Sequence, residues 1–238
     1  MPIAIDIELL NLGMKMYIEW QPERHPMLLI VGGTGAGKSY GLSLLMGKIS
    51  THIPDSQLYL CDFKDIDFRE FADCPRRWSY EKCSEGLNSF YESFKARLDG
   101  EDTTTHRKLL IFDEWAAFIM SRSDKKEQDK IKSMLSTLLM MGRGVQHHII
   151  IGLQRADAQL FPMGGRDNFG AILAMGNISK EQKLMLFPDF RENMDETNGR
   201  GQGYLYLDGD VDGIKRVQVP SIKDFDKLNS AIRDGLTR

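Results

Sequence analysis

One short motif constrains the fold more than any other feature of the sequence. Residues Gly32–Ser39 read Gly-Gly-Thr-Gly-Ala-Gly-Lys-Ser and match the pattern G-x-x-x-x-G-K-[ST] in full. The apolar run Met27–Val31 before the motif predicts a buried strand, and the stretch from Lys38 to about Ile49 predicts a helix. A strand, a glycine-rich loop and a helix in this order are typical of a phosphate-binding loop in an α/β fold.

Short apolar runs alternate with stretches of helical periodicity along the rest of the chain. Further strands are predicted at 57–61, 108–112, 148–153 and 171–175, and further helices at 81–98 and 124–141. Residues 203–207 and 214–219 flank the turn Asp208–Gly213 and predict a β-hairpin, and the last twenty or so residues predict a short surface helix. The order predicts an α/β fold: a mostly parallel sheet with helices on both faces and a C-terminal hairpin.

Length and composition favour one globular domain. The chain has 238 residues, of which 42% are hydrophobic and 27% charged, and its formal net charge is −3. These values exclude disorder and argue against a uniformly basic surface for nucleic acid. Neither a signal peptide nor a stretch of about 20 apolar residues is recognisable. We expect a single cytoplasmic domain over 1–238, with a lead-in at 1–24, a core at 25–200 and the hairpin and terminal helix at 201–238.

Cysteines and histidines show no pattern of a metal site or a disulfide framework. Cys61, Cys74 and Cys83 are odd in number and widely spaced, so free thiols are expected. His147 and His148 are adjacent at a strand entry, where neighbouring side chains face opposite sides and do not easily share a metal.

The phosphate-binding loop indicates how a nucleoside triphosphate is held. Its backbone N–H groups would surround phosphate oxygens at a helix N-terminus, where the helix dipole favours negative charge. Lys38 would reach the β- and γ-phosphates, and the Ser39 hydroxyl would ligate Mg²⁺. The residues of the expected ATP site are Gly32, Gly33, Thr34, Gly35, Ala36, Gly37, Lys38 and Ser39.

A second element has the form of a Walker B motif. The run Leu109–Phe112 ends in Asp113 and Glu114, about eighty residues after the loop. A buried strand would bring Asp113 to its C-terminal edge, where its carboxylate can hold Mg²⁺. Glu114 would accept a proton from the attacking water. The two motifs together predict ATP hydrolysis.

Five segments of the chain carry a resemblance to a known family. They are His25–Ser39, Tyr59–Lys64, Phe112–Phe118, Gly142–Arg155 and Gly201–Leu207. Together they resemble the motor domain of the FtsK/SpoIIIE DNA translocases, within the wider FtsK–HerA group of ring ATPases. The resemblance covers roughly residues 20–235 and implies a RecA-like sheet, a hexameric ring with ATP between neighbours, and double-stranded DNA as partner.

The resemblance also implies roles for residues outside the two motifs. Arg143 matches a finger that reaches the γ-phosphate of the adjacent subunit, and Gln154 matches a polar residue that senses the γ-phosphate. Lys125, Lys126 and Arg166 lie near basic positions of pore loops that would follow a DNA backbone without reading bases.

Simpler explanations compete for some of these residues. Without a role at the γ-phosphate, Arg143 would be an ordinary surface arginine and Gln154 an exposed strand end. Without a contact to DNA, Lys125 and Lys126 would belong to a solvated run of charged residues. A salt bridge at a turn would account for Asp62 and Lys64, which match an Asp-Pro-Lys of the family.

Departures from the family narrow the expected role. Asn168–Gly170 replaces an arginine before the fifth strand, and Leu153 replaces the usual threonine. No membrane-spanning region or winged-helix domain is recognisable. We therefore expect a motor of a mobile element, for conjugative transfer, plasmid mobilisation or viral genome packaging, rather than for chromosome segregation. The sequence leaves open whether a membrane-bound protein or a relaxase is a partner.

Three other functions compete with DNA translocation. The first is an FtsK-related ATPase that powers protein secretion. The second is a small P-loop phosphoryl transferase, disfavoured because Glu114 stands beside Asp113 and no arginine-rich lid is evident. The third is a non-hydrolysing assembly module, disfavoured because Lys38, Ser39 and both carboxylates are intact.

Overall fold

The computed structural model describes residues 1–161, 165–196 and 199–238, and a ten-stranded sheet runs through its centre. The strands are β1 (Pro2–Asp6), β2 (Tyr17–Glu19), β3 (Met27–Gly32), β4 (Gln57–Asp62), β5 (Arg77–Ser79), β6 (Lys108–Asp113), β7 (His147–Leu153), β8 (Ala171–Met175), β9 (Gln202–Leu207) and β10 (Ile214–Gln218). The α-helices are α1 (Ile7–Asn11), α2 (Lys38–His52), α3 (Cys83–Leu98), α4 (Trp115–Met120), α5 (Lys125–Met141), α6 (Lys180–Leu186) and α7 (Phe225–Thr237).

The sheet consists of a parallel part and an antiparallel extension. The strand order is β2-β1-β10-β9-β8-β3-β7-β6-β4-β5. From β8 to β5 all neighbouring strands are parallel, whereas β9, β10, β1 and β2 pair antiparallel. The carboxyl ends of the parallel strands meet at one edge of the sheet. The predicted α/β class, with a C-terminal hairpin of β9 and β10, is confirmed.

Both faces of the sheet are covered by apolar side chains, as the continuous hydrophobic strands predict. Strand β3 alternates its residues between the two layers. Leu29 lies in the cluster with Phe90 of α3 and Leu135 of α5. The next residue, Ile30, lies in the opposite cluster with Leu45 of α2. Helices therefore flank the sheet on both sides.

The sequence did not predict three of the strands, and the predicted terminal surface helix is partly buried. The segment 1–24 contains β1 and β2, and β1 joins the sheet by pairing with β10 near the other end of the chain. The short strand β5 extends the opposite edge beside β4. Helix α7 lies on the surface but buries Ile232 and Leu236 fully. Pairing with distant partners produces these elements, and their local sequence does not indicate such partners.

The cysteines agree with the prediction of free thiols, because Cys61, Cys74 and Cys83 are buried and unpaired. Within the described ranges, no group of three or more His, Cys, Asp or Glu residues could hold a metal ion. No helix in the described part of the chain has the length and hydrophobicity needed to cross a membrane.

Candidate nucleotide site

The glycine-rich loop connects the end of β3 to the start of α2. Gly35 and Gly37 have φ angles of +82° and +99°, in the left-handed region that glycine tolerates without a steric penalty. The N–H of Ala36 donates to the carbonyl oxygen of Gly33 at 3.1 Å, and its own carbonyl oxygen accepts from the N–H of Gly201 at 3.0 Å. The loop thus has the backbone conformation of a phosphate cradle, supported from behind by the segment before β9.

Lys38 connects this loop to the two acidic residues at the end of β6. Its ammonium forms hydrogen bonds with Asp113 Oδ1 and, at 2.9 Å, with Glu114 Oε1. Burial alone would lower the pKa of Lys38, but the charges of both carboxylates and their hydrogen bonds outweigh it and raise the pKa above its ordinary value. Lys38 therefore carries a positive charge at the base of the site.

Glu114 has a left-handed backbone, with φ +62° and ψ 43°, directly before α4. Such a conformation is uncommon for a non-glycine residue and is frequent at functional sites. Its Oε1 atom also accepts from Lys64 Nζ at 2.8 Å and from Gln154 Nε2 at 3.4 Å. Burial would raise the pKa of Glu114, but hydrogen bonding to Lys64 and the charge of Lys38 lower it below its ordinary value. The carboxylate is therefore ionised.

The position of β7 brings Gln154 beside the carboxylates. This strand lies between β3 and β6, so the residue after its end projects from the same edge as the loop and Glu114. A Cβ atom at Gly152 would lie 2.5 Å from Asp113 Oδ1, too close for a real contact. Glycine in β7 therefore provides the space that Asp113 occupies.

A cavity of about 220 Å³ opens at this edge. It is lined by every residue of the motif Gly32–Ser39 except Ala36, which packs against the core. The other lining residues are Tyr40, Lys64, Asp67, Glu114, Gln154 and Arg200. A glycine cradle with the Lys38 ammonium beside it suits a polyphosphate.

The residues present also suit a hard divalent cation such as Mg²⁺. Its preferred ligands are oxygen atoms, and the Ser39 hydroxyl and the Asp113 carboxylate supply them. Asp113 Oδ2 is buried and has no hydrogen-bond partner among the described residues. Ser39 Oγ donates to Asp67 Oδ2 at 2.7 Å, which leaves the oxygen lone pairs of Ser39 available.

Arg143 lies away from this cavity, at the opposite edge of the sheet. It occupies a 3-10 turn, Gly142–Val145, between α5 and the start of β7, and it is exposed. Strand β7 has seven residues, so roughly 20 Å separates Arg143 from the Gln154 end. Its guanidinium has no ion-pair or hydrogen-bond partner within the described residues. Arg143 is therefore too distant to contact a nucleotide in its own subunit.

Two of the expected DNA contacts lie at the opposite end of α5 from Arg143. Lys125 and Lys126 are exposed at the N-terminus of α5, and Arg143 follows its C-terminus. In the part of the chain that the structure describes, neither lysine side chain has an ion-pair partner. Arg166 lies in the 3-10 turn Gly165–Asn168, but its side chain lies outside the described part of the structure.

Three lining residues were missed by the sequence analysis, namely Tyr40, Asp67 and Arg200. Tyr40 directly follows the motif, and its position alone could have indicated it. Arg200 lies between Gly199 and Gly201, and this pattern also surrounds Arg143. Nothing in the sequence around Asp67 indicates a contact with Ser39.

Comparisons with known proteins agree with the geometry. The model of the FtsK/SpoIIIE family matches residues 5–92. The Ftsk domain-containing protein YdcQ of Bacillus subtilis (strain 168) is 26% identical over 209 residues, which cover 81% of this chain and 43% of YdcQ. The chain is similar to the FtsK/SpoIIIE family over the residues that match. It spans less than half the length of this FtsK-domain relative.

Solved structures of an ATPase and of a conjugation coupling protein share the fold. EssC (ATPases 2 and 3) from Geobacillus thermodenitrificans matches with a TM-score of 0.71 and 15% identity, over 98% of this chain and 47% of EssC. The pCW3 conjugation coupling protein TcpA, in a monomer form with ATPγS, matches with a TM-score of 0.69 and 17% identity, over 97% of this chain and 69% of TcpA. At these identities the likeness shows the RecA-like fold alone.

Proposed function

We propose that this chain hydrolyses ATP and uses the energy to move double-stranded DNA, as a hexameric ring that serves DNA transfer or packaging for a mobile element. The observation that carries the proposal is the convergence of Lys38, Asp113, Glu114 and Gln154 beside the glycine-rich loop. This set combines a phosphate-binding cation, an oxygen ligand for a metal ion, a proton acceptor and a polar group for orienting water.

Each side chain has a distinct role in the proposed reaction. Lys38 exchanges its hydrogen bonds with the carboxylates for bonds with the β- and γ-phosphates. Glu114 then accepts a proton from the water that attacks the γ-phosphorus, and Gln154 orients that water from the end of β7. Ser39 and Asp113 would hold Mg²⁺, which neutralises phosphate charge when bound.

Arg143 provides the argument for a ring. It lies at the opposite edge of the sheet from its own nucleotide cavity, so a phosphate within its reach belongs to a neighbouring subunit. A planar cation that approaches the γ-phosphate stabilises the charge of the transition state. Hydrolysis then depends on the contact between subunits, which is how a ring couples chemistry to movement.

The cargo is inferred from the relatives and from exposed charge. YdcQ contains an FtsK domain, and TcpA is a conjugation coupling protein. Lys125 and Lys126 are exposed, and such side chains suit a phosphate backbone without sequence preference. Their position after α4 also matches the pore loop that the resemblance implies.

Protein secretion is the second candidate, because a solved structure of a secretion ATPase shares the fold over 94% of this chain. It is the cytoplasmic domain of the type VII secretion ATPase EccC of Thermomonospora curvata, with a TM-score of 0.68 and 20% identity. A secretion motor would retain the same nucleotide site but would respond to a polypeptide instead of DNA.

Turnover of ATP measured with different cargoes tests the proposal. We expect double-stranded DNA to increase the ATPase rate more than single-stranded DNA, RNA or an unfolded polypeptide. The double variant Lys125→Ala/Lys126→Ala should weaken the DNA response. Lys130→Ala/Lys132→Ala, further along α5, is the matched control. Stimulation by polypeptide but not by DNA would favour secretion, and no turnover under any condition would contradict the proposal.

A further inference from the structure

A loop after β4, residues 63–67, contacts the proposed proton acceptor. Lys64 Nζ lies 2.8 Å from Glu114 Oε1. Lys38 Nζ and Gln154 Nε2 lie 2.9 and 3.4 Å from the same oxygen. Lys38, Glu114 and Gln154 each have a role in the proposed reaction, whereas Lys64 has none so far.

The backbone before Lys64 is fixed by aromatic packing. Phe63 is buried, and its ring stacks on Tyr80 with centroids 5.4 Å apart. The same ring meets Phe118 of α4 edge-on at 5.7 Å. Because α4 begins directly after Glu114, this packing fixes the loop relative to the carboxylate.

The backbone after Lys64 is fixed by charge. Asp65 pairs with Arg77 of β5 at 2.6 Å, and the N–H of Asp65 donates to Asp62 Oδ1 at 3.1 Å. Arg77 also pairs with Asp62 at 2.9 Å, and both of these side chains are almost fully buried. Lys64 is therefore presented from an ordered backbone, which distinguishes it from an ordinary exposed lysine.

Binding of ATP would change which ammonium groups contact the Glu114 carboxylate. Contact with phosphates requires Lys38 to give up hydrogen bonds that it now makes with the carboxylates. Among the described residues, Lys64 is the other ammonium within hydrogen-bond distance of Glu114. Glu114 then depends on Lys64 and the more distant Gln154 for its orientation.

We propose that Lys64 is a positioning residue, which holds the Glu114 carboxylate in place for proton transfer once Lys38 has turned to the phosphates. The inference rests on the proposed function, because it requires Glu114 to be the proton acceptor. Lys64 acts through Glu114, so its loss affects the chemical step and leaves nucleotide binding intact.

Steady-state kinetics of Lys64→Met and Lys64→Arg test this role. We expect Lys64→Met to lower kcat by about tenfold, because small displacements of a catalytic group cost that much or more. KM for ATP and the affinity for ATPγS should stay within about twofold of the parent, and Lys64→Arg should recover most of kcat. Lys95→Met is the matched control, since Lys95 forms a comparable surface ion pair with Glu92 at 2.7 Å. Thermal unfolding verifies that each variant is folded.

A double-mutant cycle with Glu114→Gln shows whether Lys64 acts through Glu114. We expect Lys64→Met to cause no further loss in the Glu114→Gln background. The inference is overturned if Lys64→Met retains or exceeds the parental kcat, if it loses kcat equally in both backgrounds, or if Lys64→Arg recovers nothing. A parent chain without turnover overturns the proposed function and this inference together. Turnover that requires Glu114 but ignores Lys64 overturns this inference alone.

Discussion

Lys38 and Glu114 form a buried ion pair that the proposed reaction must open. Removing Lys38 in Lys38→Ala eliminates the cation for the phosphates and also leaves the buried Asp113 carboxylate without its ion-pair partner, whereas Glu114 retains Lys64. We expect Lys38→Ala to have almost no ATPase activity. We expect Glu114→Gln to bind ATP but to lower turnover by about 10²-fold or more, because the amide cannot accept the proton. Phosphate release and ATPγS binding measure the two effects separately.

The contrast between the two variants makes this prediction specific. Glu114→Gln preserves the shape of the side chain and one acceptor oxygen, so a loss of turnover with retained binding identifies a role in chemistry. The assignment of Glu114 as proton acceptor is wrong if Glu114→Gln hydrolyses ATP at the parental rate.

Side chains within the two motifs were predictable, because each motif carries its chemistry in adjacent residues. The loop residues, Asp113 and Glu114 all lie where the patterns indicated. Asp67 and Arg200 were not predictable, since only the completed sheet brings them to the cavity. Lys64 was noticed, but the pattern could not show that its partner is Glu114 rather than a residue of its own turn.

Strand β7 begins with two histidines that are buried almost completely. His147 Nδ1 donates to the carbonyl oxygen of Val145 at 2.9 Å, and Nε2 forms a hydrogen bond with Ser93 Oγ at 3.1 Å. Burial lowers the pKa of His147 and of His148 to about 4, from an ordinary value of 6.5. The folded chain therefore binds fewer protons than the unfolded chain between these two pH values.

This difference predicts a loss of stability in mild acid. The unfolded state takes up the protons first, so the free energy of unfolding falls as the pH decreases from 6.5 through 4. Each histidine contributes at most roughly 1.4 kcal/mol per pH unit in that range. Urea unfolding at pH 7, 6 and 5 measures the slope. We expect a shallower slope in His147→Gln and in His148→Gln, and an unchanged slope in both would contradict the prediction.

The strands of the parallel core were predictable, and those at the edges of the sheet were not. Strands β3, β6 and β7 are buried on both faces, so each shows as a continuous apolar run. Strand β1 is also short and apolar, but its place depends on pairing with β10. Strand β5 has three residues and depends on β4. Local patterns do not encode pairing across such distances.

The two ends of the parallel strands form two different edges of the sheet, and each carries a different part of the proposed site. One edge carries the nucleotide cavity, and the other carries Arg143 in a turn with glycines on both sides. A Cβ atom at Gly144 would meet no other atom within 4 Å, so the turn is open to a neighbour. When unlike surfaces of identical subunits meet head to tail, the contacts close into a ring if the rotation permits. The proposed hexamer is such an assembly.

Arg143→Ala tests whether two subunits share each nucleotide site. An arginine finger contributes on the order of 10³-fold or more to turnover in P-loop enzymes, so we expect Arg143→Ala to hydrolyse ATP poorly while it binds ATPγS normally. The exposed Arg191, which pairs with its neighbour Glu192, provides the control variant Arg191→Ala, and this should be fully active.

Mixing Arg143→Ala with Lys38→Ala protein should restore activity that neither has alone. In a random mixture about a quarter of the interfaces combine an intact Lys38 with an intact Arg143 from the neighbour, so recovery should approach about a quarter of the parental rate. Wild-type turnover by Arg143→Ala in the presence of DNA would instead confine the nucleotide site to one subunit and remove the structural argument for a ring.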